Sequence, residues 1–180
     1  MNASVQSVNV ALPCTVIWNG REVLTGIFKQ PVPGRIKVRE LGLEGDAQAD
    51  LTVHGGLAKA VYAYPSEHYD FWQHELERDL TWGMFGENLT TIGLFEDSVR
   101  MGDRFRVGSA TLEVTQPRFP CYKLGIKFGN MEMVQRFLDS GRSGFYLAVR
   151  AVGEIAEGDQ ITLTSLGQGR RISELFRSEG

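Results

Sequence analysis

The amino-acid sequence predicts an α+β domain that is mainly β, a barrel of short strands with a few flanking helices. Three observations carry this expectation. Polar and apolar residues alternate over many short runs, and 21 glycines punctuate those runs. Only a few segments repeat their apolar residues at helical spacing. No linker or low-complexity tract divides the 180 residues. Residues 1–166 are therefore expected to form a single domain that includes the N-terminal strands, with 167–180 as a short tail or helical turn.

Residues 4–12 alternate with strand period. Cys14–Trp18 and residues 21–24 flank Asn19-Gly20, a pair that accepts the positive φ of a two-residue hairpin turn. Cys14 falls at a strand start and reads as a small buried hydrophobe. Residues 27–29 and 35–38 read as further strands, separated by Pro31, Pro33 and Gly34. A Gly- and Asp-punctuated segment, 41–50, leads through Val53-His54-Gly55-Gly56 into 58–64, a buried strand.

The clearest helix is Glu67–Leu76, with Ser66 as N-cap and Tyr69, Trp72 and Leu76 on one stripe. His68 and His74 lie on different faces of it and read as surface residues, and Glu75, Glu77 and Asp79 as a solvated helix end. Residues 83–91 form a glycine-bounded turn with a polar centre. Strands Arg104–Val107 and 111–115 make a hairpin that runs into Pro117. Residues 124–128 and 131–138 are helical, broken at Gly129-Asn130, with Met131, Val134, Phe137 and Leu138 as a packing face. Gly141-Arg142-Ser143-Gly144 launches strand 145–149, a turn-then-strand unit covers 158–163, and 172–177 is a last helical turn.

Composition excludes several classes. A net charge of −3 is not that of a general binder of nucleic acid polymers, which carries a basic surplus. No run approaches the roughly 20 apolar residues of a membrane span, and the N-terminus lacks a basic region followed by an apolar run. A soluble, cytoplasmic protein with no membrane partner is the expectation. The two cysteines, Cys14 and Cys121, are too far apart in sequence for a zinc knuckle and are expected to be reduced.

Chemistry concentrates in Gln116-Pro117-Arg118-Phe119-Pro120-Cys121-Tyr122-Lys123-Leu124. Cations flank a cysteine there, and such an environment favours the thiolate. By itself Cys121 could be a nucleophile, a redox sensor or a metal ligand. The polar residues of the turns are His54, Lys59, Asn88, Arg118, Cys121, Lys123 and Arg142. If the turns meet at one barrel mouth, these residues form a basic pocket with a single thiol, suited to an anionic, phosphate-bearing cofactor. Gly55-Gly56 would let backbone approach such a ligand, although a tight turn reads equally well.

The motifs together resemble a known family. They are Thr25-Gly26-Ile27-Phe28-Lys29, Gly42-Leu43-Glu44-Gly45-Asp46 with Gln48-Ala49-Asp50, and Val53-His54-Gly55-Gly56. Lys59-Ala60-Val61-Tyr62, Phe85-Gly86-Glu87-Asn88-Leu89-Thr90, Gln116-Pro117-Arg118, Pro120-Cys121 and Gly141-Arg142 follow. In this order they resemble the MOSC family (molybdenum cofactor sulfurase C-terminal domains), and within it the YiiM-like group associated with 6-N-hydroxylaminopurine resistance.

The resemblance implies a MOSC-type β-barrel in which Cys121 is both catalytic and the ligand of molybdenum held by a molybdopterin dithiolene. His54, Gly55, Gly56, Lys59, Asn88, Arg118 and Arg142 would hold that cofactor. The implied activity is reduction of N-hydroxylated bases or hydroxylamines to amines by a molybdenum-dependent oxidoreductase. The sequence carries no cysteine cluster for iron–sulfur and no nucleotide fingerprint, so a flavoprotein or ferredoxin-type donor would supply the electrons. The implied partners are that donor and a small N-hydroxylated substrate, with a homodimer left open. Two alternatives stand beside this: a non-catalytic carrier of cofactor or sulfur on Cys121, and a barrel whose thiol is structural. Two departures from the group are Ala148, where an Arg is expected and Arg150 lies on the same strand face, and the lack of a longer C-terminal helical extension.

Overall fold

The computed structural model describes residues 2–47 and 55–179. In chain order the first elements are β1 (Ala3–Val10), β2 (Cys14–Trp18), β3 (Arg21–Thr25), β4 (Gln30–Pro31), β5 (Ile36–Arg39) and β6 (Gly42–Leu43). A 3-10 turn, Leu57–Lys59, precedes β7 (Val61–Pro65), α1 (Glu67–Leu76), β8 (Leu89–Ile92), β9 (Arg104–Val107) and β10 (Ala110–Pro117). Then come α2 (Tyr122–Phe128), α3 (Glu132–Ser140), β11 (Phe145–Ala151), β12 (Gly153–Ile155), β13 (Gln160–Ser165) and α4 (Ile172–Glu179).

Seven strands close into a barrel in the order β13-β9-β10-β11-β7-β8-β1, and β1 pairs back onto β13 through Ala3 with Ile161 and Ser4 with Gln160. Closure removes the edges on which an open sheet would recruit other chains. Neighbours are antiparallel except β7 and β8, which run parallel and are joined through α1, the kind of crossover that parallel strands require. β4 adds to the far end of β1, while β2–β3 and β12-β5-β6 are separate small sheets.

Strand β7 shows how the sequence divides two cores. Every residue of it is buried. Val61 and Ala63 join Val5, Leu89, Phe105, Leu112 and Leu147 in the apolar filling of the barrel. Tyr62 and Tyr64 point the other way, into an aromatic layer with Tyr69 and Trp72 of α1, Phe85, and Met133 and Phe137 of α3. A strand covered on both faces reads as one apolar run rather than an alternation. In the aromatic layer Tyr64 stacks on Phe85 at 4.6 Å, and Trp72 lies within 5° of parallel to Phe137. The Trp72 indole N–H donates to the Tyr64 hydroxyl at 2.8 Å.

Several expectations hold and several are corrected. The hairpin turns at Asn19 and Gly20 with φ of 50° and 74°, and α1 has its expected bounds. Ser66 does not cap α1: its backbone is already helical, its N–H donates to Thr91, and its hydroxyl reaches Glu67. Cys14 is exposed, because among the described residues β2 pairs only with β3 and no layer covers its thiol. Residues 27–29 are not a strand, and the chain is a 3-10 turn at 57–59 before β7 begins. In α3 the fully buried methionine is Met133, whereas Met131 is exposed. His68 is not a surface residue; its Nε2 bonds the buried carboxylate of Glu96 at 2.9 Å. The C-terminal residues are packed down: Ile172 and Phe176 are buried, and Phe176 stacks on Phe119. No helix among the described residues is long and apolar enough to cross a membrane.

Candidate functional site

The 116–124 stretch leaves the barrel at the end of β10. Pro117 is still paired with Phe145, and the Arg118 N–H donates to the Gly144 carbonyl. The chain then stays extended to Cys121 (φ −122°, ψ 174°), which stands at the N-terminus of α2. Proline before Cys121 disfavours helix at Phe119, so α2 starts after the cysteine rather than before it. The half-buried thiol opens onto a cavity of about 110 Å³, roughly ten times the void inside the barrel.

Among the described residues the cavity wall carries Lys29, Lys59, Arg118 and Lys123 against one carboxylate, Asp46. Tyr62, Phe85 and Tyr146 give it aromatic sides, and Thr25, Gly26 and Asn88 complete much of the lining. Arg118 is 5% exposed and has no carboxylate partner among the described residues. Its guanidinium lies 5.3 Å from the Tyr62 ring and 5.0 Å from Phe137, with one Nη2 donation to the Phe85 carbonyl. Its Nη1 is buried and has no hydrogen-bond partner among the described residues. Burial works against this charge, but Tyr62, Tyr146 and Cys121 outweigh it and hold the guanidinium above its ordinary value. A buried charged donor left unpaired costs free energy that an anion in the cavity would recover.

Asp46 is a hub. Its carboxylate accepts from the Ala11 N–H at 2.9 Å, from Asn88 Nδ2 at 2.8 Å and from the Lys29 ammonium. Asn88 is fully engaged, since its amide also donates to the Asn9 carbonyl and accepts the Tyr62 N–H. Behind it, the fully buried Glu87 accepts from Tyr69, Gly83, Phe85 and Thr90. Glu87 thereby sets the 83–88 turn, which presents Phe85 and Gly86 to the cavity.

Of the residues singled out in the sequence, the structure brings Lys59, Asn88, Arg118, Cys121 and Lys123 to one cavity. His54 lies outside the described residues. Gly55 and Gly56 lead into the 3-10 turn that carries Lys59 to the wall, with φ of 88° at Gly56. Arg142 is not brought there: its guanidinium lies 3.6 Å over the Phe71 ring and bonds the Ser140 carbonyl. Arg150 is likewise committed, to Glu113 at 2.6 Å. Lys29, Asp46, Tyr62 and Tyr146 were not among the expected site residues. Lys29 and Asp46 each end a quoted motif, which was the available signal.

Two observations bear on which group the cavity fits. The unpaired Arg118 Nη1 and the surplus of cations suit an anionic ligand. No three His, Cys, Asp or Glu side chains converge among the described residues, so Cys121 would give one bond to a metal that brings its other ligands with it. A molybdenum held by a pterin dithiolene has both properties, and the residues present fit it.

Comparison with known proteins agrees with this layout. Residues 50–162 match the family model of the MOSC domain. The chain is 45% identical over 165 residues to YflK, an uncharacterized protein of Bacillus subtilis, spanning 92% of this chain and 75% of that one. It is 42% identical over 144 residues to YiiM of Escherichia coli, spanning 78% of this chain and 64% of YiiM. A protein of Gibberella moniliformis named as a reductase is 36% identical over 148 residues, which are 80% of this chain but 26% of the reductase. The crystal structure of YiiM from Geobacillus stearothermophilus superposes with a TM-score of 0.81 at 35% identity, covering 97% of this chain and 82% of that one.

Proposed function

The chain belongs to the MOSC domain family, and from that premise we propose that it binds a molybdenum–pterin cofactor in the Cys121 cavity and reduces small N-hydroxylated bases or hydroxylamines to amines. The observation that carries the reading is the Cys121 thiol sharing a basic cavity with a buried Arg118 whose Nη1 is unpaired.

The residues divide the work. Cys121 would offer one thiolate ligand to a metal whose other ligands come with the pterin. Arg118, Lys59 and Lys123 would hold the anionic parts of the ligand, and Arg118 is positioned by the Phe85 carbonyl and two ring faces. Tyr62, Phe85 and Tyr146 keep water from that side of the cavity. When bound, the group would supply a two-electron reducing centre. Electrons enter from a flavoprotein or ferredoxin-type donor, since the other cysteine, Cys14, is exposed and outside the cavity lining.

The test is elemental analysis of gently purified wild type beside Cys121→Ser, with hydroxylamine-dependent oxidation of a reduced dye. Stoichiometric molybdenum and turnover in wild type, both lost in Cys121→Ser, are the expected result. Full metal and activity in Cys121→Ser would overturn the reading. Bound molybdenum without turnover would instead make the protein a carrier of the cofactor.

A further inference from the structure

The wall of the Cys121 cavity contains a buried ion pair that the binding of an anionic cofactor does not call for. Lys29 is 7% exposed, and its ammonium is hydrogen-bonded to Asp46, whose side chain is buried as well. Asp46 is held from two other directions, by the Ala11 N–H and by Asn88, so it is a stationary counter-ion. Lys29 has three N–H donors and gives one to Asp46. Lys59 and Lys123, which also line the cavity, are more exposed.

We propose that Lys29 is the acid that protonates the departing oxygen of the N-hydroxylated substrate, with Asp46 fixing its ammonium in place. The inference rests on the proposed reductase reading. The N–O bond breaks, and the hydroxyl leaves as water with the proton from Lys29. The nitrogen takes a second proton from solvent, and the two electrons come from the flavoprotein or ferredoxin-type donor. The balance is R–NHOH + 2e⁻ + 2H⁺ → R–NH₂ + H₂O. Lys29 is then recharged from solvent.

The charged surroundings agree with the role. Burial is the largest influence and holds the Lys29 ammonium below the ordinary lysine value, while Asp46 and Glu87 oppose it. Lys127 is a neighbouring cation, and Arg118, Lys59 and Lys123 share the cavity. A more acidic ammonium is a better proton donor near neutral pH.

Lys29→Ala and Lys29→Arg test the assignment, with Lys29→Ala/Asp46→Asn in case an unpaired Asp46 prevents folding. Molybdenum content, dye-linked turnover against pH, and lysine ammonium NMR titration of cofactor-free protein are measured. Expected are about a hundredfold loss of turnover at unchanged molybdenum content and partial rescue of the Ala variants by methylamine. Arg, which does not give up its proton, should not restore the rate. In cofactor-free wild type, Lys29 should titrate below the exposed lysines. Turnover of Lys29→Arg near the wild-type rate, molybdenum lost in step with activity, or Lys29 titrating with the exposed lysines would each overturn the inference. Failure of the reductase reading shows separately, as wild type without molybdenum or without turnover.

Discussion

Replacing Glu87 by Gln isolates the group that shapes the cavity from behind. The carboxylate is fully buried and accepts four donors: the Tyr69 and Thr90 hydroxyls and the N–H groups of Gly83 and Phe85. Three of the four go to Oε1 and the Phe85 N–H goes to Oε2. If Gln keeps its oxygen at the Oε1 position, its NH₂ meets the Phe85 N–H and two donors confront each other. A buried hydrogen bond is worth about 0.5–1.5 kcal/mol, and a stranded buried donor costs about 1–3. The loss at pH 7 should therefore be about 3 kcal/mol. For a domain of this size that is roughly 6–12 °C in Tm. The pH dependence adds an independent check. Burial pushes the Glu87 carboxyl above its ordinary value, against the pull of its donors. A raised carboxyl gives stability that is full below the unfolded value and is lost as pH rises through the folded one. Wild type should thus lose this increment above about pH 4.5 and the Gln variant should not, so the penalty of the substitution shrinks as pH rises. Urea denaturation of both proteins from pH 4 to 8 measures it. A loss under about 1 kcal/mol at pH 7, or a penalty that grows with pH, would refute the reasoning.

Other outcomes follow from the same contacts. Burial works to raise the Glu96 carboxyl, but His68 and the Gly144 N–H outweigh it and hold it below the ordinary value. Its contribution is therefore present above about pH 4.5 and lost as pH falls through the folded value. Glu96→Gln should cost about 2–3 kcal/mol at pH 7 and progressively less in acid, read from urea midpoints. Gly144→Ala should be more severe: φ is +59°, and the added methyl would stand 2.4 Å from the Ala63 carbonyl oxygen. A loss of more than about 3 kcal/mol is expected, measured as Tm, because β7 and the 141–144 turn must separate.

What the sequence disclosed depended on how far apart the deciding residues were. Asn19-Gly20 and the stripe of α1 are local signals, and both elements stand where those signals put them. The unbroken apolar run of β7 was likewise legible, although which face met the barrel was not. His68 was misread because Glu96 is 28 positions away. Cys14 was misread because alternation says nothing about whether a second layer covers the strand. At the site, Cys121 and Arg118 were legible from their own neighbourhood. Lys29 and Asp46 were not, because a single Lys in a loop and a single Asp in a turn ordinarily face water. Only the fold buries them together, 17 positions apart. Arg142 was placed at the cavity because its motif is near the others in family order, and the ring of Phe71 holds it elsewhere.

The pairing of Ala3 with Ile161 has a consequence for the order in which the molecule is made. A chain grown from its N-terminus at roughly 5–20 residues per second carries β1 for about 8–30 s before its last neighbour exists. During that wait Val5 and Val8, buried in the finished protein, have no complete barrel to enter. β8 can receive one edge of β1 midway and β4 covers the far end of the other, leaving the Ala3–Ser4 stretch open to strangers until β13 emerges. Refolding of the whole chain has no such queue. Both edges are present from the start, and closure is then limited by the search for distant partners, on the order of milliseconds to seconds for β-rich domains.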